Sequence, residues 1–351
     1  MSASLRVAQV LAGAEKGGAE NFFVRLVTAL HQSGKTEQLA FIRAHQHRLD
    51  ALRNAGVPAK GFRFGGPLNL LDRYRYVRAL KAARPDVVMT WMNRASSATP
   101  RGDYTLVARL GHYYDLKHYR HADYWVGIAK GICDHLVRGG MPADRVFHIP
   151  NFADETPVTP LPRDSFDTPL DRPLIIAAGR LHVNKGFDIL LQALAAIPEA
   201  TLWLAGEGPE EDSLKALAEQ VGVAGRVRFL GWRTDVTALM ATGDLFVCPS
   251  RHEGLGSIVM ESWAHGCPIV ATNSQGPGEV IEHGVTGLVV PVDEVEPLSG
   301  AISELLRDPA LGARLAAQAK AHYDAQFSRE VIVERYNDLY RTLVSRPRAR
   351  I

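Results

Sequence analysis

Residues 244–261 read DLFVCPSRHEGLGSIVME. The fold class is predicted most directly from this stretch. The first five of these residues, 244–248, form a short apolar run typical of a buried parallel strand, and the residues from 257 to 266 have helix-forming character. A loop with glycines at positions 254 and 256 connects the two. The stretch therefore predicts a strand, a loop and a helix, the repeating unit of an α/β protein with a doubly wound parallel sheet.

Two carboxylates flank this loop. Glu253 lies in the loop above the strand end, and Glu261 lies about one turn into the helix. The peptide N–H groups of residues 254–257 (Gly254, Leu255, Gly256 and Ser257) and the positive end of the helix make an anion site. Carboxylates accept hydrogen bonds from sugar and ribose hydroxyls while amides hold phosphate, so a nucleotide sugar fits this loop. Taken alone, two glutamates at this spacing are also common on a solvated helix face.

A second loop, residues 179–186, begins at Gly179 and carries two cations. It follows the apolar run 174–178 and precedes another helix pattern. Arg180 and Lys185 therefore lie at the same sheet edge as Glu253, where open α/β sheets bind ligands. As surface residues the two would simply be solvated, whereas in this loop we expect them to clamp a diphosphate.

Seven short segments, spread over nearly the whole chain, form a further pattern: residues 17–20, 148–151, 180–186, 206–209, 229–232, 253–261 and 276–279. Together these segments resemble the glycosyltransferase family 4 group of retaining sugar transferases. Their order and spacing make the joint match specific. The resemblance implies the GT-B fold, with two Rossmann-like domains facing a cleft, and a transfer that retains the anomeric configuration without a cofactor.

The remaining candidate residues follow from loops and from this resemblance. Gly17 and Gly18 precede a helix pattern, so their amides could approach the donor or form an ordinary strand-to-helix turn. The resemblance places His112 beside the reactive end of the sugar and adds Trp232 to the donor site. Residues 206–209 lack the third glycine of a dinucleotide fingerprint, so we interpret Gly206 and Gly208 as a loop near the nucleotide base.

The length of 351 residues exceeds what one core usually supports. Six prolines between positions 150 and 173 indicate a linker. Six apolar runs on each side alternate with helical patterns. We expect an acceptor domain at residues 1–150, a linker at 151–172, a donor domain at 173–328 and a helix at 329–351, which the resemblance implies crosses back to the first domain.

Charge is unevenly distributed along the chain. Residues 1–150 hold 22 Lys and Arg against 11 Asp and Glu, a net of +11, whereas residues 151–351 hold 18 against 27, a net of −9. A basic first half favours an anionic partner, such as a lipid-linked or lipopolysaccharide-type glycan acceptor or an anionic membrane surface. No helix-turn-helix or zinc signature supports a nucleic-acid partner.

The three cysteines, Cys133, Cys248 and Cys267, show no paired spacing or histidine pattern, so we expect neither a disulfide framework nor a metal site. No signal peptide or membrane-spanning run is evident in the sequence. We therefore expect a cytoplasmic enzyme, peripheral at the inner face of the cell membrane.

Arg180 and Lys185 would stabilise the leaving diphosphate, Glu253 would hold the donor sugar and Glu261 the ribose. The departing phosphate oxygen can itself take the acceptor's proton. A UDP-sugar is the expected donor from family frequency, and GDP- and ADP-sugars stay open. The alternatives are a nucleotide-sugar epimerase or glycogen-type phosphorylase on the same fold and a non-catalytic nucleotide-sugar-binding subunit.

Overall fold

The computed structural model describes residues 5–15, 17–65 and 69–346. The chain forms two compact units. The first comprises the described parts of Met1–Asn151 and Arg329–Ile351, and the second is Phe152–Ser328. Residues 347–351, the end of the expected C-terminal helix, lie outside the described residues.

The first unit is a seven-stranded parallel sheet with helices between its strands. The strands are β1 (Leu5–Leu11), β2 (Thr36–Arg43), β3 (Ala59–Phe62), β4 (Val87–Trp91), β5 (Thr105–Leu110), β6 (Tyr124–Gly127) and β7 (Val146–His148). The helices are α1 (Gly18–Gln32), α2 (Gln46–Asn54), α3 (Leu70–Ala83), α4 (Met92–Ala98) and α5 (Lys130–Arg138). The strand order is β3-β2-β1-β4-β5-β6-β7, so the order reverses between β1 and β4. Helix α1 buries Phe22, Phe23, Leu26 and Leu30, an apolar stripe at helical spacing.

The second unit is a six-stranded parallel sheet. Its strands are β8 (Leu174–Ala178), β9 (Thr201–Ala205), β10 (Val227–Phe229), β11 (Leu245–Cys248), β12 (Ile269–Thr272) and β13 (Leu288–Val290). Its helices are α6 (Phe187–Ala195), α7 (Glu211–Gln220), α8 (Val236–Thr242), α9 (Ser257–Ala264), α10 (Gln275–Val280), α11 (Val295–Arg307) and α12 (Pro309–Gln326). The order is β10-β9-β8-β11-β12-β13, reversing between β8 and β11.

Strand β8 of the second sheet is apolar throughout because both of its faces are covered. Along β8, Ile175 and Ala177 pack into one hydrophobic cluster, while Leu174 and Ile176 pack into the cluster on the opposite face. This arrangement explains why the run lacks the apolar and polar alternation of a half-exposed strand.

The last helix, α13 (Arg329–Ser345), belongs to the first unit. Its buried face carries three polar side chains as well as apolar ones. Tyr340 accepts a hydrogen bond from Gln9 at 2.9 Å, and Tyr336 accepts one from the buried Arg109 at 3.0 Å. These bonds complete the pairing of two buried side chains, since Gln9 also donates to Gln38 and Arg109 also donates to Asn151.

The proline-rich segment after Asn151 has no helix or strand, yet it packs against the second unit. The N–H of Leu161 donates to Thr242 Oγ1 at 2.7 Å, and the indole of Trp203 donates to Thr168 Oγ1 at 2.7 Å. Residues 152–172 therefore have a defined course along the second unit.

The six apolar runs in the first half of the sequence do not include strand β3, the seventh strand of the first sheet. Its four residues include exposed Lys60 and Gly61. It is an edge strand that pairs only with β2, with Ala59 opposite Ala40. Its pairing, and not an apolar run, defines it, so hydrophobic pattern could not have found it.

Candidate active site

The site expected in the second half lies where the strand order of the second sheet reverses. The loops after β8 and β11 leave adjacent strands, with Leu245 paired to Ile175, and both leave from the carboxyl edge. Helix α6 follows the first loop and α9 follows the second. A crevice at such a reversal is where open α/β sheets bind ligands.

Lys185 and Glu253 meet in this crevice. Lys185 Nζ donates to Glu253 Oε2, and Ser250 Oγ donates to the same oxygen at 3.4 Å. The two charged side chains are 25% and 18% exposed. Burial is the largest single influence and lowers the pKa of Lys185, but the charge of Glu253, the neighbouring Cys248 and the hydrogen bond to Glu253 together raise that pKa above its ordinary value. The ammonium is therefore held in its charged form.

Arg251 fastens the second loop to the first. Its guanidinium donates to both carboxylate oxygens of Asp188 at 2.8 and 2.7 Å and to Asp293 at 2.5 Å. The Arg251 N–H donates to the carbonyl of Asn184 at 2.8 Å. Bidentate pairing of this kind fixes geometry as well as charge, so the position of Lys185 relative to Glu253 is set by the backbone around both.

Three glycines permit this close packing of loops. Gly186 has φ 64°, and a Cβ there would overlap the carbonyl oxygen of Pro249. Gly206 has φ 147°, and a Cβ there would overlap the carbonyl oxygen of Gly179. Gly208 likewise lies against the carbonyl of Leu181. Glycine is required at these approaches because any side chain would push the loops apart.

The loop from Gly254 to Gly256 presents unused donors. The peptide N–H groups of Gly254, Leu255 and Gly256 form no hydrogen bond within the part of the chain that the structure describes. Helix α9 begins next, at Ser257, and Glu261 lies half-buried one turn further along. Free amides followed by a helix N-terminus can hold an anion.

Arg180 and Trp232 extend the site on the side of β8 and β9. The guanidinium of Arg180 is exposed and makes no hydrogen bond or ion pair with any residue the structure describes. The Trp232 side chain is also exposed, and its peptide N–H donates to Glu207 Oε1 at 3.3 Å. The second unit thus gathers the candidate residues of its half at one sheet edge.

Three candidates lie in the first unit instead. Gly17 and Gly18 are at the start of α1, where the buried Glu20 folds back and accepts a hydrogen bond from the Ala14 N–H at 2.7 Å. His112 follows β5 and is exposed, and its Nδ1 accepts a hydrogen bond from the Tyr113 N–H at 2.8 Å. These loops lie at the carboxyl edge of the first sheet.

Comparison with known proteins decides the class of enzyme. Residues 160–322 match the family model described as Glycosyl transferases group 1. Over 335 residues the chain is 38% identical to the lipopolysaccharide core biosynthesis glycosyltransferase LpsE of Rhizobium meliloti (strain 1021), an alignment that covers 94% of this chain and 97% of that protein. The chain belongs to the group 1 glycosyltransferases. The expectation of a glycosyltransferase is thereby confirmed.

Two further comparisons support this family and its fold. The lipopolysaccharide core biosynthesis glycosyltransferase LpsD of the same organism is 35% identical over 339 residues, covering 96% of this glycosyltransferase and 98% of the relative. The crystal structure of HepE from Anabaena in complex with UDP and glucose matches with a TM-score of 0.83 at 23% identity, covering 96% of this chain and 99% of that one. With the two parallel sheets, this likeness confirms the expected GT-B fold.

Sequence reasoning missed two arginines that support the glycosyltransferase's loops. For Arg251, the only feature of the sequence that could have indicated this role was its position close to Glu253. The buried Arg48 donates to the carbonyls of Ala14 and Glu15 at 3.1 and 3.0 Å, beneath the loop that leads to Gly17. Burial lowers the pKa of Arg48, although Glu20 and Glu15 act in the opposite direction. Nothing in the sequence near Arg48 indicates this long-range contact.

No group of three or more His, Cys, Asp and Glu side chains within residues 5–15, 17–65 and 69–346 is arranged to hold a metal ion. Over the same residues, no helix is both long enough and apolar enough to cross a membrane.

Proposed function

We propose that this glycosyltransferase moves a sugar from a nucleoside diphosphate sugar to a hydroxyl of a glycan or glycolipid, with retention of the anomeric configuration. The observation that carries the proposal is the contact between Lys185 and Glu253 at the point where the strand order reverses. The exposed Arg180 and the unused amides of residues 254–256 surround it with further donors. Together these groups suit a ligand that combines diphosphate with hydroxyls.

In this mechanism the cations stabilise the leaving group. As the bond between the anomeric carbon and the diphosphate oxygen breaks, negative charge grows on the diphosphate. Lys185 and Arg180 neutralise that charge, and the N–H groups of residues 254–256 donate hydrogen bonds to it. The acceptor hydroxyl forms the new bond to the anomeric carbon, and its proton passes to the departing phosphate oxygen. No separate base is needed for this step.

The carboxylates and the remaining candidates bind the rest of the donor. Glu253 accepts hydrogen bonds from the hydroxyls of the transferred sugar, and Glu261 accepts them from the ribose. Trp232, beside Glu207, offers an aromatic face to the base. His112 is proposed to act at the reactive end of the sugar, and Gly17 and Gly18 to admit the donor close to the backbone.

The acceptor is proposed to be a lipopolysaccharide core glycan. LpsE and LpsD, both named for lipopolysaccharide core biosynthesis, align with nearly the whole chain. The net charge of +11 on residues 1–150 suits an anionic acceptor of this kind. The donor is proposed to carry uridine, because HepE was crystallised with UDP.

Association with an anionic membrane surface at the cytoplasmic side is part of the same proposal. The first turn of α3 exposes three large apolar side chains, Leu70, Leu71 and Tyr74, at 69%, 74% and 62%. Apolar side chains that project from a basic unit can enter the boundary between headgroups and acyl chains while the charge attracts anionic lipid.

A thermal-shift comparison of UDP, GDP and ADP tests the donor site. A ligand that binds only the folded protein raises its melting temperature. We expect UDP to give the largest shift, and Arg180→Ala to reduce that shift without changing the melting temperature of the free protein. If none of the three diphosphates stabilised the protein, the proposed donor site would be wrong.

A further inference from the structure

A separate cavity of about 440 Å³ lies in the first unit. Its walls come from three segments that follow strands β3, β4 and β5, together with the start of α3. These segments all leave the carboxyl edge of the sheet. The volume lies within the range of about 300–1,000 Å³ that is typical of small-molecule sites.

The cavity carries two cations that are not paired with any residue in the described part of the chain. Arg73 on α3 and Arg94 on α4 both line it and are exposed. Neither guanidinium makes a hydrogen bond or an ion pair with another residue the structure describes. His118 lines a third side, where its Nδ1 lies 2.8 Å from Ser97 Oγ.

The single carboxylate among the described lining residues does not offset these cations. Asp72 accepts a hydrogen bond from the Arg63 N–H at 3.1 Å with one oxygen and from the Phe64 N–H at 2.9 Å with the other. Both oxygens therefore hold backbone in place, and Phe64 adopts a left-handed conformation with φ 46° in this turn. With two arginines against one carboxylate, the lining is positive.

The opposite wall is aromatic. Phe64 and Tyr76 are buried, with ring centroids 5.0 Å apart, and the Tyr76 hydroxyl is 2.7 Å from Thr99 Oγ1. Tyr76 lines the cavity although it is almost fully buried, and its hydroxyl is satisfied by Thr99. Asn93 accepts a hydrogen bond from the Tyr119 hydroxyl at 2.5 Å, which leaves its amide NH₂ as a donor at the rim.

We propose that this cavity binds a sugar residue that carries an anionic group, either a carboxylate or a phosphate. The arginines would pair with the anion, while Asn93 and Ser97 would bind hydroxyls of the sugar. This sugar is assigned to the acceptor glycan, and that assignment rests on the proposed function. The acceptor would then be a glycan that contains a sugar residue with an anionic group.

Direct binding to the whole protein tests the cavity without requiring transfer. The probes are glucose 6-phosphate, glucuronate, neutral glucose and inorganic phosphate, measured by ligand-observed NMR titration at constant low ionic strength. We expect one or both anionic sugars to bind at least about tenfold more tightly than glucose, since charge-assisted hydrogen bonds are the stronger ones. The anionic sugar that binds more tightly identifies the preferred group as carboxylate or phosphate.

Two double variants locate the site. Arg73→Gln with Arg94→Gln should weaken binding of the anionic sugar by about tenfold or more, because both charged donors are lost. Arg75→Gln with Arg78→Gln removes the same charge from exposed positions of α3 that do not line the cavity, and it should leave the affinity unchanged. All four arginines are exposed, so their replacement should change stability little. An unchanged melting temperature verifies that each variant is folded.

Three results would overturn the inference: no binding of either anionic sugar, equal losses in the two double variants, or inorganic phosphate binding as tightly as glucose 6-phosphate. The first two remove the site, and the third shows an anion site without sugar recognition. Binding of UDP, followed in parallel, belongs to the second unit and should be unaffected. If neither the wild type nor the two double variants bound UDP, that result would instead contradict the proposed transferase function.

Discussion

Lys185 and Glu253 form an ion pair that joins the loops after β8 and β11 across the reversal of strand order. They lie 68 residues apart in the sequence. From the sequence the two were expected to act on different parts of the donor, the diphosphate and the sugar. Their contact means that each orients the other before the donor arrives. In the proposed mechanism the donor replaces this pair with hydrogen bonds to its own phosphate and hydroxyl groups.

Lys185→Ala should lower turnover at saturating donor by about 10²-fold or more, because it removes one charge partner of the transition state. It should also lower the free energy of unfolding by about 1–3 kcal/mol, since Glu253 is left without its cation in a partly buried position. Urea unfolding and steady-state kinetics measure the two effects. Arg180→Ala is the control, because this exposed side chain has no partner to abandon and only turnover should fall. An unchanged turnover in Lys185→Ala would remove Lys185 from the site.

The two glutamates should separate on calorimetry. Glu253→Gln should retain affinity for the nucleoside diphosphate and lose affinity for the intact donor, because only the donor carries the sugar. Glu261→Gln should weaken both ligands, because ribose belongs to both. Equal losses for both ligands in both variants would mean that the two roles are wrongly assigned.

The raised pKa of Lys185 predicts how the ion pair depends on pH. Burial lowers this pKa, but Glu253 and Cys248 together outweigh burial, so the folded value lies above the ordinary 10.5. The folded protein therefore binds this proton more tightly than the unfolded chain does. The contribution of the pair to stability is complete below the unfolded pKa and is lost as pH rises through the folded pKa. The difference in unfolding free energy between the wild type and Lys185→Met should stay constant between about pH 7 and 9 and shrink in more alkaline solution. A difference that already shrank in the neutral range would contradict the sign of the shift.

Turnover should survive an excess of chelator nearly intact. The proposed mechanism places the neutralisation of the diphosphate on Lys185, Arg180 and the amides of residues 254–256, which leaves little for a divalent ion to do. Rates with and without chelator, after dialysis, measure this. Abolished transfer that returned on addition of Mg²⁺ or Mn²⁺ would show that these groups do not suffice.

Membrane association should depend on the exposed leucines of α3. Leu70→Ser with Leu71→Ser should reduce co-sedimentation with vesicles that contain anionic lipid, because the apolar contact is lost while the charge is unchanged. Leu170→Ser, at a residue 67% exposed in the acidic second unit, is the control and should have no effect. Binding should weaken as salt shortens the Debye length to about 3 Å near 1 M. Equal binding to neutral and anionic vesicles would contradict an electrostatic membrane surface.

The fold could be predicted from the sequence because buried parallel strands appear there as apolar runs between helical patterns. The edge strand β3 lacks such a run, since Lys60 and Gly61 face solvent, and it was therefore missed. Glycine and charge patterns also located the loops after β8 and β11 on one sheet edge. They could not show that Arg251 holds Asp188 or that Arg48 holds the Ala14 carbonyl, because such contacts depend on side-chain geometry between segments far apart in sequence.

The helix α13 is added to the first unit only after the chain has passed through the entire second unit. During synthesis, residues 152–328 therefore emerge as one uninterrupted segment and can complete their sheet while the first unit still lacks its last helix. Until α13 arrives, Gln9 and Arg109 lack their tyrosine partners. The first unit thus begins before the second unit in the sequence, but its last element is synthesised after the second unit is complete.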